Sequence, residues 1–175
     1  MRTSAPLPAD RAGPSMVMKP ISAIPTAADV MLRDPVCLRP DMEVEDAVKT
    51  LLRKRISGAP VVEHDRLVGI FSERDALAAM AGALYDSQPN GPVSAHMRRN
   101  MVTISPDTDL FVIASRFERD PVRRLPVVDA DGRLLGLVLR STALAALVAR
   151  TASAGAHPAP PKTLYERVAE RLADP

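Results

Sequence analysis

Apolar residues in the middle of the chain change their spacing in a fixed order, and each spacing predicts one element of secondary structure. A short apolar run at residues 36–38 predicts a strand, and apolar positions in 44–52 recur at helical intervals. Residues 59–62 and 67–71 are β-rich runs joined by a short polar segment, which is typical of a hairpin. A second helical pattern follows and places four residues on one face, Leu77, Met80, Ala81 and Leu84. The pattern therefore predicts a β-α-β-β-α unit.

The same order of elements returns in the second half of the chain. A strand is predicted at 102–104, and a helix begins near Asp107. An apolar hairpin at 125–139 turns at Asp131-Gly132, a dipeptide typical of tight turns, and a final helix is predicted at 141–150. The inward positions of the first of these helices are predicted to be Leu110, Ile113, Ala114 and Phe117. Both halves are therefore expected to share one architecture.

The two halves also repeat one another residue by residue. Three segments of the first half align with the second: 31–41 with 97–107, 56–62 with 122–128, and 69–77 with 136–144. A repeat present only twice predicts a paired unit, because solenoids need about three copies or more. A half of about 55 residues buries little surface alone. We therefore expect an α+β fold of two pseudo-twofold-related β-α-β-β-α repeats packed sheet to sheet, with two symmetric clefts and flexible tails.

Changes in composition divide the chain into segments. Of the 17 prolines, five lie in residues 1–27 and four in 151–175, which predicts flexible ends. Leu164, Val168 and Leu172 recur at helical spacing and predict an amphipathic helix, docked either on its own module or on a partner. The predicted segments are a disordered tail at 1–27, a first repeat at 28–84, a connector at 85–92, a second repeat at 93–150, an Ala/Pro linker at 151–162 and the amphipathic helix at 163–174.

Composition and charge narrow the class of protein. The apolar fraction of 46% and the charged fraction of 25% are typical of a globular protein. A net charge of +2 and 3% aromatic residues disfavour a nucleic-acid adaptor. The single cysteine, Cys37, fits a reducing compartment, and the chain has no apolar run long enough to span a membrane. We expect a cytoplasmic protein without membrane association, with Cys37 buried in its strand.

The chemistry of the chain concentrates where an apolar strand runs into a helix, at Ser72 and Asp75. Residues three apart in the first turn of a helix lie on one side, at the positive end of the helix dipole. A carboxylate there can accept hydrogen bonds from both hydroxyls of a ribose, and a neighbouring hydroxyl can add one more. The same Ser-x-x-Asp spacing also forms a capping box, which explains both residues without a ligand. The spacing leaves both interpretations open.

The repeat resembles a tandem pair of CBS domains, often called a Bateman module, over residues 28–148. The resemblance is carried by the ordered segment DVMLRDPVCLRPDMEVEDAVKTLLRKRISGAPVVEHDRLVGIFSERDAL and by its second copy. It implies that the Gly-x-x-Ser-x-x-Asp segment at 69–75 holds the ribose of an adenine nucleotide of the AMP, ADP or ATP class. The partner repeat would supply its first strand and the loop before its Pro-Val-Val strand. The resemblance also implies a homodimer that acts on a client protein.

Carried over residue by residue, the resemblance implies one complete cleft. Ser72 and Asp75 would hold the ribose, and two arginines would face the phosphates. Thr103 in the first strand of the second repeat and the backbone around residues 124–126 would line the base. A solvated loop would also explain an arginine pair. The complete cleft is expected to comprise Ser72, Asp75, Thr103, Arg123, Arg124, Leu125 and Pro126.

The other cleft departs from the family's pattern. Leu139 and Thr142 stand where the hydroxyl and the carboxylate are expected, so the charge-assisted contact to a ribose is lost. Its partner loop offers neutral residues in place of the arginines. The degenerate cleft is expected to comprise Cys37, Ser57, Gly58, Ala59, Leu139 and Thr142. We therefore expect at most weak binding there.

Two functions follow from these observations, and catalysis is not one of them. The combination of Ser72, His64 and Asp75 lacks the Gly-x-Ser-x-Gly elbow of a hydrolase, and the chain has no Walker loop. Cys37 and the histidines lack zinc-ligand spacing, so neither a metal nor a required cofactor is expected. The favoured function is a non-catalytic, nucleotide-sensing regulatory module. The alternative is a nucleotide-free dimerisation or protein-interaction module.

Overall fold

The computed structural model describes residues 24–87 and 89–154, and its two repeats of strands and helices confirm the predicted fold class. The predicted amphipathic helix at 163–174 lies outside the described residues. The last helix continues through residues 151–154, which had been predicted to begin the linker. The elements in chain order are α1 (Ala27–Val30), α2 (Val44–Lys54), β1 (Gly58–Glu63), β2 (Arg66–Ser72), α3 (Glu73–Asp86), a 3-10 turn (Val93–Ala95), α4 (Leu110–Arg119), β3 (Arg124–Val128), β4 (Leu134–Leu139) and α5 (Arg140–Ala154).

Each half is built on one antiparallel hairpin. In the first half β1 pairs with β2 through a two-residue turn at His64 and Asp65, whose φ angles of 49° and 65° are those of a tight hairpin turn. In the second half β3 pairs with β4 through a longer turn, which the Asp129 carboxylate closes by accepting hydrogen bonds from the backbone nitrogens of Asp131 and Arg133. Both predicted hairpins are therefore present.

The predicted first strand of each repeat is reduced to a single bridge. Leu38 pairs in parallel with Val61, and Ile104 pairs in parallel with Val127. The Leu38 nitrogen donates to the Pro60 carbonyl at 2.9 Å, and the Leu38 carbonyl accepts from the Val62 nitrogen at 2.9 Å. Prolines at 35 and 40 flank the first of these segments and cannot donate to a ladder, which limits its pairing. The prediction of strands at 36–38 and 102–104 was therefore wrong in extent.

The segment before each repeat packs on the other half of the molecule. Ala27 in α1 is fully buried in the core of the second half, and Leu32 exchanges backbone hydrogen bonds with Leu137 of β4. The equivalent segment of the second half places Met97 in the core of the first half, and Arg98 exchanges hydrogen bonds with Ile70 of β2. This exchange of segments between the halves holds them together and places Arg98 beside the end of β2.

The exchange moves one predicted boundary. Residues 24–27 had been placed in a disordered tail, yet the Ala27 nitrogen donates to the Thr108 carbonyl at 2.8 Å and the Pro25 carbonyl accepts from Leu110 at 2.9 Å. These four residues therefore belong to the folded part. Burial of apolar atoms in the partner half, which local composition does not record, explains the difference.

Helices α2 and α4 bury the faces that their spacing predicts. In α2 the buried residues are Val44, Ala47 and Leu51, and acidic residues in the first turn and basic residues in the last turn complement the helix dipole. In α4 the Asp109 carboxylate caps the helix, and Leu110, Ile113 and Phe117 are buried. The predicted inward positions of α4 are thus correct, with Ala114 half-buried.

Helix α3 turns its large apolar residues outward. Its buried residues are Ala76 and Ala79, whereas Leu77 is 72% and Leu84 is 81% exposed. The four residues predicted to share a face do lie at helical spacing, but only Met80 among them packs against the core. Small alanines let the helix approach the hairpin closely, so the leucines are left at the surface.

Candidate functional site

A cavity of about 620 Å³ opens where the two halves meet at the end of β2. Its wall is formed by the start of α3, the segment after Met97, and the loop before β3. This volume is in the usual range for a small-molecule site. The cavity is lined by Ser57, Ile70, Ser72, Glu73, Arg74, Asp75, Leu77, Arg98, Asn100, Met101, Val102, Pro121, Val122, Arg123 and Arg124.

Ser72 and Asp75 form the capping box that the spacing allows. Asp75 Oδ2 accepts hydrogen bonds from the Ser72 backbone nitrogen at 3.0 Å and from Ser72 Oγ at 2.5 Å. These bonds fix the carboxylate at the N-terminus of α3, at the positive end of the helix. Both residues also line the cavity, so the cap and the candidate site are one structure.

Arg98 covers the other oxygen of this carboxylate. Its Nε donates to Asp75 Oδ1 at 3.0 Å, and the side chains of Arg98 and Asp75 are 54% and 10% exposed. Sequence reasoning missed Arg98. The repeat contained a signal for it. Residues 31–41 align with 97–107, so Arg98 stands where the first repeat has the uncharged Leu32.

The two predicted arginines reach the cavity, and Arg124 closes one wall of it. Arg124 Nη2 donates to Ser57 Oγ at 2.6 Å. Burial lowers the pKa of the Arg124 guanidinium below its ordinary value; the negative charge of Glu73 opposes this shift, and the neighbouring Arg123 adds to it. Arg123 is exposed at the rim and lines the same cavity.

The sequence analysis assigned Ser57 and Gly58 to the second cleft, which was wrong because both lie beside the Asp75 cavity. Ser57 lines the cavity that contains Asp75, and a Cβ atom at Gly58 would lie 2.8 Å from Arg124 Nη1. The reason is the register of the hairpin, since Gly58 pairs with Ser72 and brings the residue before β1 beside the start of α3. The sequence analysis had assigned each loop only to the cleft of the other repeat.

Three predicted contacts are absent from the cavity wall. Leu125 is fully buried in the second core, and Pro126 is also fully buried, because β3 is covered along this stretch. Thr103 is exposed and does not line the cavity, whereas its neighbours Met101 and Val102 do. The two residues before Thr103 therefore reach the wall, and Thr103 itself does not.

Three other residues predicted for the second cleft, Leu139, Thr142 and Ala59, carry no charge. Thr142 Oγ1 accepts from the Leu139 nitrogen at 3.1 Å and donates to the Leu139 carbonyl at 2.9 Å. Ala59 is buried in the first core. These side chains give no charged group for a ribose or a phosphate.

Cys37 is exposed, so the expectation of a buried strand residue was wrong. Its Sγ donates to the Pro35 carbonyl at 3.2 Å. Neighbouring atoms partly desolvate the sulfur, which raises the pKa of the Cys37 thiol. A raised pKa disfavours the reactive thiolate.

Residues 24–87 and 89–154 contain neither a metal-binding cluster nor a membrane-spanning helix. No three histidine, cysteine or acidic side chains come together in a group suited to a metal ion. No helix in this part of the chain has both the length and the apolar character needed to cross a bilayer.

Comparison with known proteins agrees with the repeat. The CBS domain family matches the chain twice, at residues 27–82 and 93–149. Sequence analysis had placed the repeats at 28–84 and 93–150. The two matches cover more than half of the chain.

The chain is similar to part of an enzyme and to CBS-domain pairs of known structure. An inosine-5'-monophosphate dehydrogenase from Streptococcus pyogenes is 37% identical over 109 residues, which are 60% of this chain but only 21% of the enzyme. The structure of CBSX2 in complex with AMP has a TM-score of 0.66 and 29% identity over 73% of this chain and 98% of that one; CBSX2 is a CBS-pair protein from Arabidopsis thaliana. The CBS pair of protein MJ0100, in complex with 5'-methylthioadenosine and S-adenosyl-L-methionine, has a TM-score of 0.58 and 26% identity over 70% of this chain and 98% of that one. The chain thus belongs to the CBS domain family and contains a tandem pair of its domains.

Proposed function

We propose that this protein is a non-catalytic regulatory module that binds an adenine nucleotide of the AMP, ADP or ATP class. The ligand occupies the cavity at the end of β2 and bridges the two halves. The observation that carries the proposal is the composition of one wall, where a carboxylate fixed at a helix N-terminus lies among arginines.

The charge of the cavity favours a phosphorylated ligand. Four arginines line it, at 74, 98, 123 and 124, against the two carboxylates of Glu73 and Asp75. The remaining net positive charge attracts an anion, and guanidinium groups pair well with phosphate oxygens. The complex of CBSX2 with AMP supports this ligand class.

The remaining parts of a nucleotide also find suitable groups. Asp75 has the position and charge to accept hydrogen bonds from a ribose diol. Apolar side chains at Ile70, Met101, Val102 and Val122 offer a surface for the base. Residues from both repeats thus meet the ligand, so binding favours whichever relative position of the halves fits it best.

A titration series tests this proposal. Isothermal calorimetry with adenosine, AMP, ADP and ATP is expected to give one ligand per chain, with tighter binding for the phosphorylated ligands and a strong dependence on salt. The salt dependence follows from the screening of arginine–phosphate attraction. If neither heat nor a thermal shift is seen with any of the four, the nucleotide function is rejected.

We further propose that the module forms a homodimer through α3 and passes ligand occupancy to a client protein. The outer face of α3 carries Leu77, Leu84 and Tyr85, which are 72%, 81% and 91% exposed. Side chains seven or eight residues apart lie on one side of a helix, and several exposed apolar side chains of this size on one side are typical of an interaction surface. Leu77 also lines the cavity, so one helix contacts both the ligand site and the proposed interface.

Leu84→Glu is expected to dissociate the dimer, because it places a charge in an apolar interface. Light scattering after size exclusion should give twice 18.8 kDa for the wild-type chain and 18.8 kDa for the variant. Leu52→Glu is the matched control, because Leu52 is 67% exposed on α2. A monomeric wild-type chain would exclude the homodimer.

The alternative of a nucleotide-free interaction module rests on the same exposed face. It also agrees with the hydrogen bonds of Asp75, which the capping box and Arg98 already use. On this alternative the α3 variant loses its partner, and no nucleotide changes the melting temperature.

A further inference from the structure

We infer that Arg98 determines the specificity of the cavity: it covers the Asp75 carboxylate and releases it to ligands that offer the guanidinium a phosphate. This inference rests on the proposed nucleotide site and goes beyond it, because it names the residue that separates nucleotides from nucleosides.

Both oxygens of the Asp75 carboxylate already accept hydrogen bonds. Asp75 Oδ2 accepts two hydrogen bonds from Ser72, and Oδ1 accepts one from Arg98 Nε at 3.0 Å. With these partners in place the Asp75 side chain is only 10% exposed. A carboxylate has about four acceptor sites and three are used here, so both hydroxyls of a ribose diol can bind to Asp75 only after Arg98 has left Oδ1.

The Arg98 side chain can leave Asp75 while its backbone stays in place. Its backbone is held, since Arg98 and Ile70 exchange two hydrogen bonds of 2.9 Å. Its side chain is 54% exposed and holds Asp75 through Nε. Because the guanidinium end of this pair is exposed, the side chain can rotate toward solvent without disturbing the strand pairing.

A phosphate in the cavity would give the displaced Arg98 guanidinium a new partner. Arg98, Arg123 and Arg124 line the same cavity. A phosphate bound among them gives Arg98 a new anion in place of Asp75, with bidentate geometry available. A nucleoside without phosphate leaves the guanidinium without that compensation.

The asymmetry of the repeat supports a role in binding. Leu32 holds the equivalent place in the first repeat and pairs with Leu137 as Arg98 pairs with Ile70. Leu139 and Thr142 stand there at the positions of Ser72 and Asp75, and neither carries a charge. The arginine therefore occurs on the side that has the carboxylate and the other arginines.

The test compares adenosine and ADP on the full chain and on Arg98→Gln by calorimetry. Adenosine is expected to bind about two- to fivefold more tightly to the variant, because the competing ion pair is gone. ADP is expected to bind about fivefold or more weakly, because a phosphate contact is lost. The ratio of the two affinities therefore falls by about tenfold or more.

Arg99→Gln is the matched control. It removes the same charge one residue away, from a guanidinium whose Nη2 donates to the Ser94 carbonyl at 3.4 Å and which does not line the cavity. We expect this variant to leave the ratio of the two affinities unchanged. A thermal melt of both variants checks that they are folded.

The outcomes separate the inference from the proposed function. If the wild-type chain binds ADP but Arg98→Gln moves both ligands in the same direction, or neither, the specificity role is overturned and the nucleotide site stands. If the wild-type chain binds neither ligand, the proposed function is overturned and the inference falls with it. Opposite shifts for adenosine and ADP support the inference.

Discussion

Asp75→Asn is expected to weaken ADP binding by about 10- to 100-fold. The substitution keeps the shape of the side chain and a carbonyl oxygen that can still accept from Ser72, but it removes the charge that strengthens hydrogen bonds to a ribose diol. Hydrogen bonds to charged groups contribute about 1.5–3 kcal/mol each, and every 1.4 kcal/mol is about tenfold in affinity. Calorimetry on the wild type and the variant measures the difference.

The chain offers a control with the same local geometry. Asp29 at the start of α1 accepts from the Thr26 nitrogen at 2.8 Å and from Thr26 Oγ1 at 3.0 Å, and these bonds lower the pKa of the Asp29 carboxyl. Asp29 lies outside the cavity lining. Asp29→Asn therefore removes a charge from an equivalent capping box and should leave ADP binding unchanged. Equal affinities of Asp75→Asn and the wild type would reduce Asp75 to a cap and favour the interaction module.

Gly58→Ala is expected to destabilise the protein by about 2–4 kcal/mol, through backbone strain and overpacking together. The φ angle of Gly58 is 153°, in the region that favours glycine. A Cβ atom there would lie 2.8 Å from the Phe71 carbonyl oxygen and 2.9 Å from Ser72 Cα. Neither backbone atom can move without disturbing the β1–β2 pairing. Chemical denaturation of both proteins measures the change in the free energy of unfolding.

Gly82→Ala is the control for this substitution, and its expected effect has the opposite sign. Gly82 lies inside α3, and a Cβ atom there meets no atom within 4 Å. Alanine is a better helix former than glycine by about 1 kcal/mol, so the variant should be more stable. If Gly58→Ala has the same denaturant midpoint of unfolding as the wild type, the requirement for glycine at position 58 is disproved.

Local patterns were sufficient for most elements of this fold. The helical spacing of Val44, Ala47 and Leu51 predicts α2, because residues at these intervals lie on one face whatever the rest of the chain does. The hairpins were predicted from apolar runs on either side of short polar turns, and both are present. Local sequence did not distinguish a full strand from a single bridge at Leu38, because pairing depends on the partner strand.

The candidate site was predicted in part. Ser72, Asp75, Arg123 and Arg124 line one cavity, as the family resemblance implied. Their roles as ligand contacts stay a prediction until the titrations are done. Thr103 was predicted for the wall but is exposed outside it, because the packing of this segment against the other half, which the sequence does not show, brings Met101 and Val102 to the wall instead.

By itself, the sequence determined the repeat, the order of the two hairpins and the four longer helices, and the place where a carboxylate meets the N-terminus of α3. These features depend on spacing within a few residues, so local periodicity is enough to specify them. Only the tertiary structure decided that Ser57 lies beside Ser72, through the register of β1 and β2, and that Arg98 reaches Asp75 from 23 residues away. It also decided that the leucines of α3 face outward. Such contacts depend on strand register and on the exchange of segments between halves, which bring together residues that no local pattern relates.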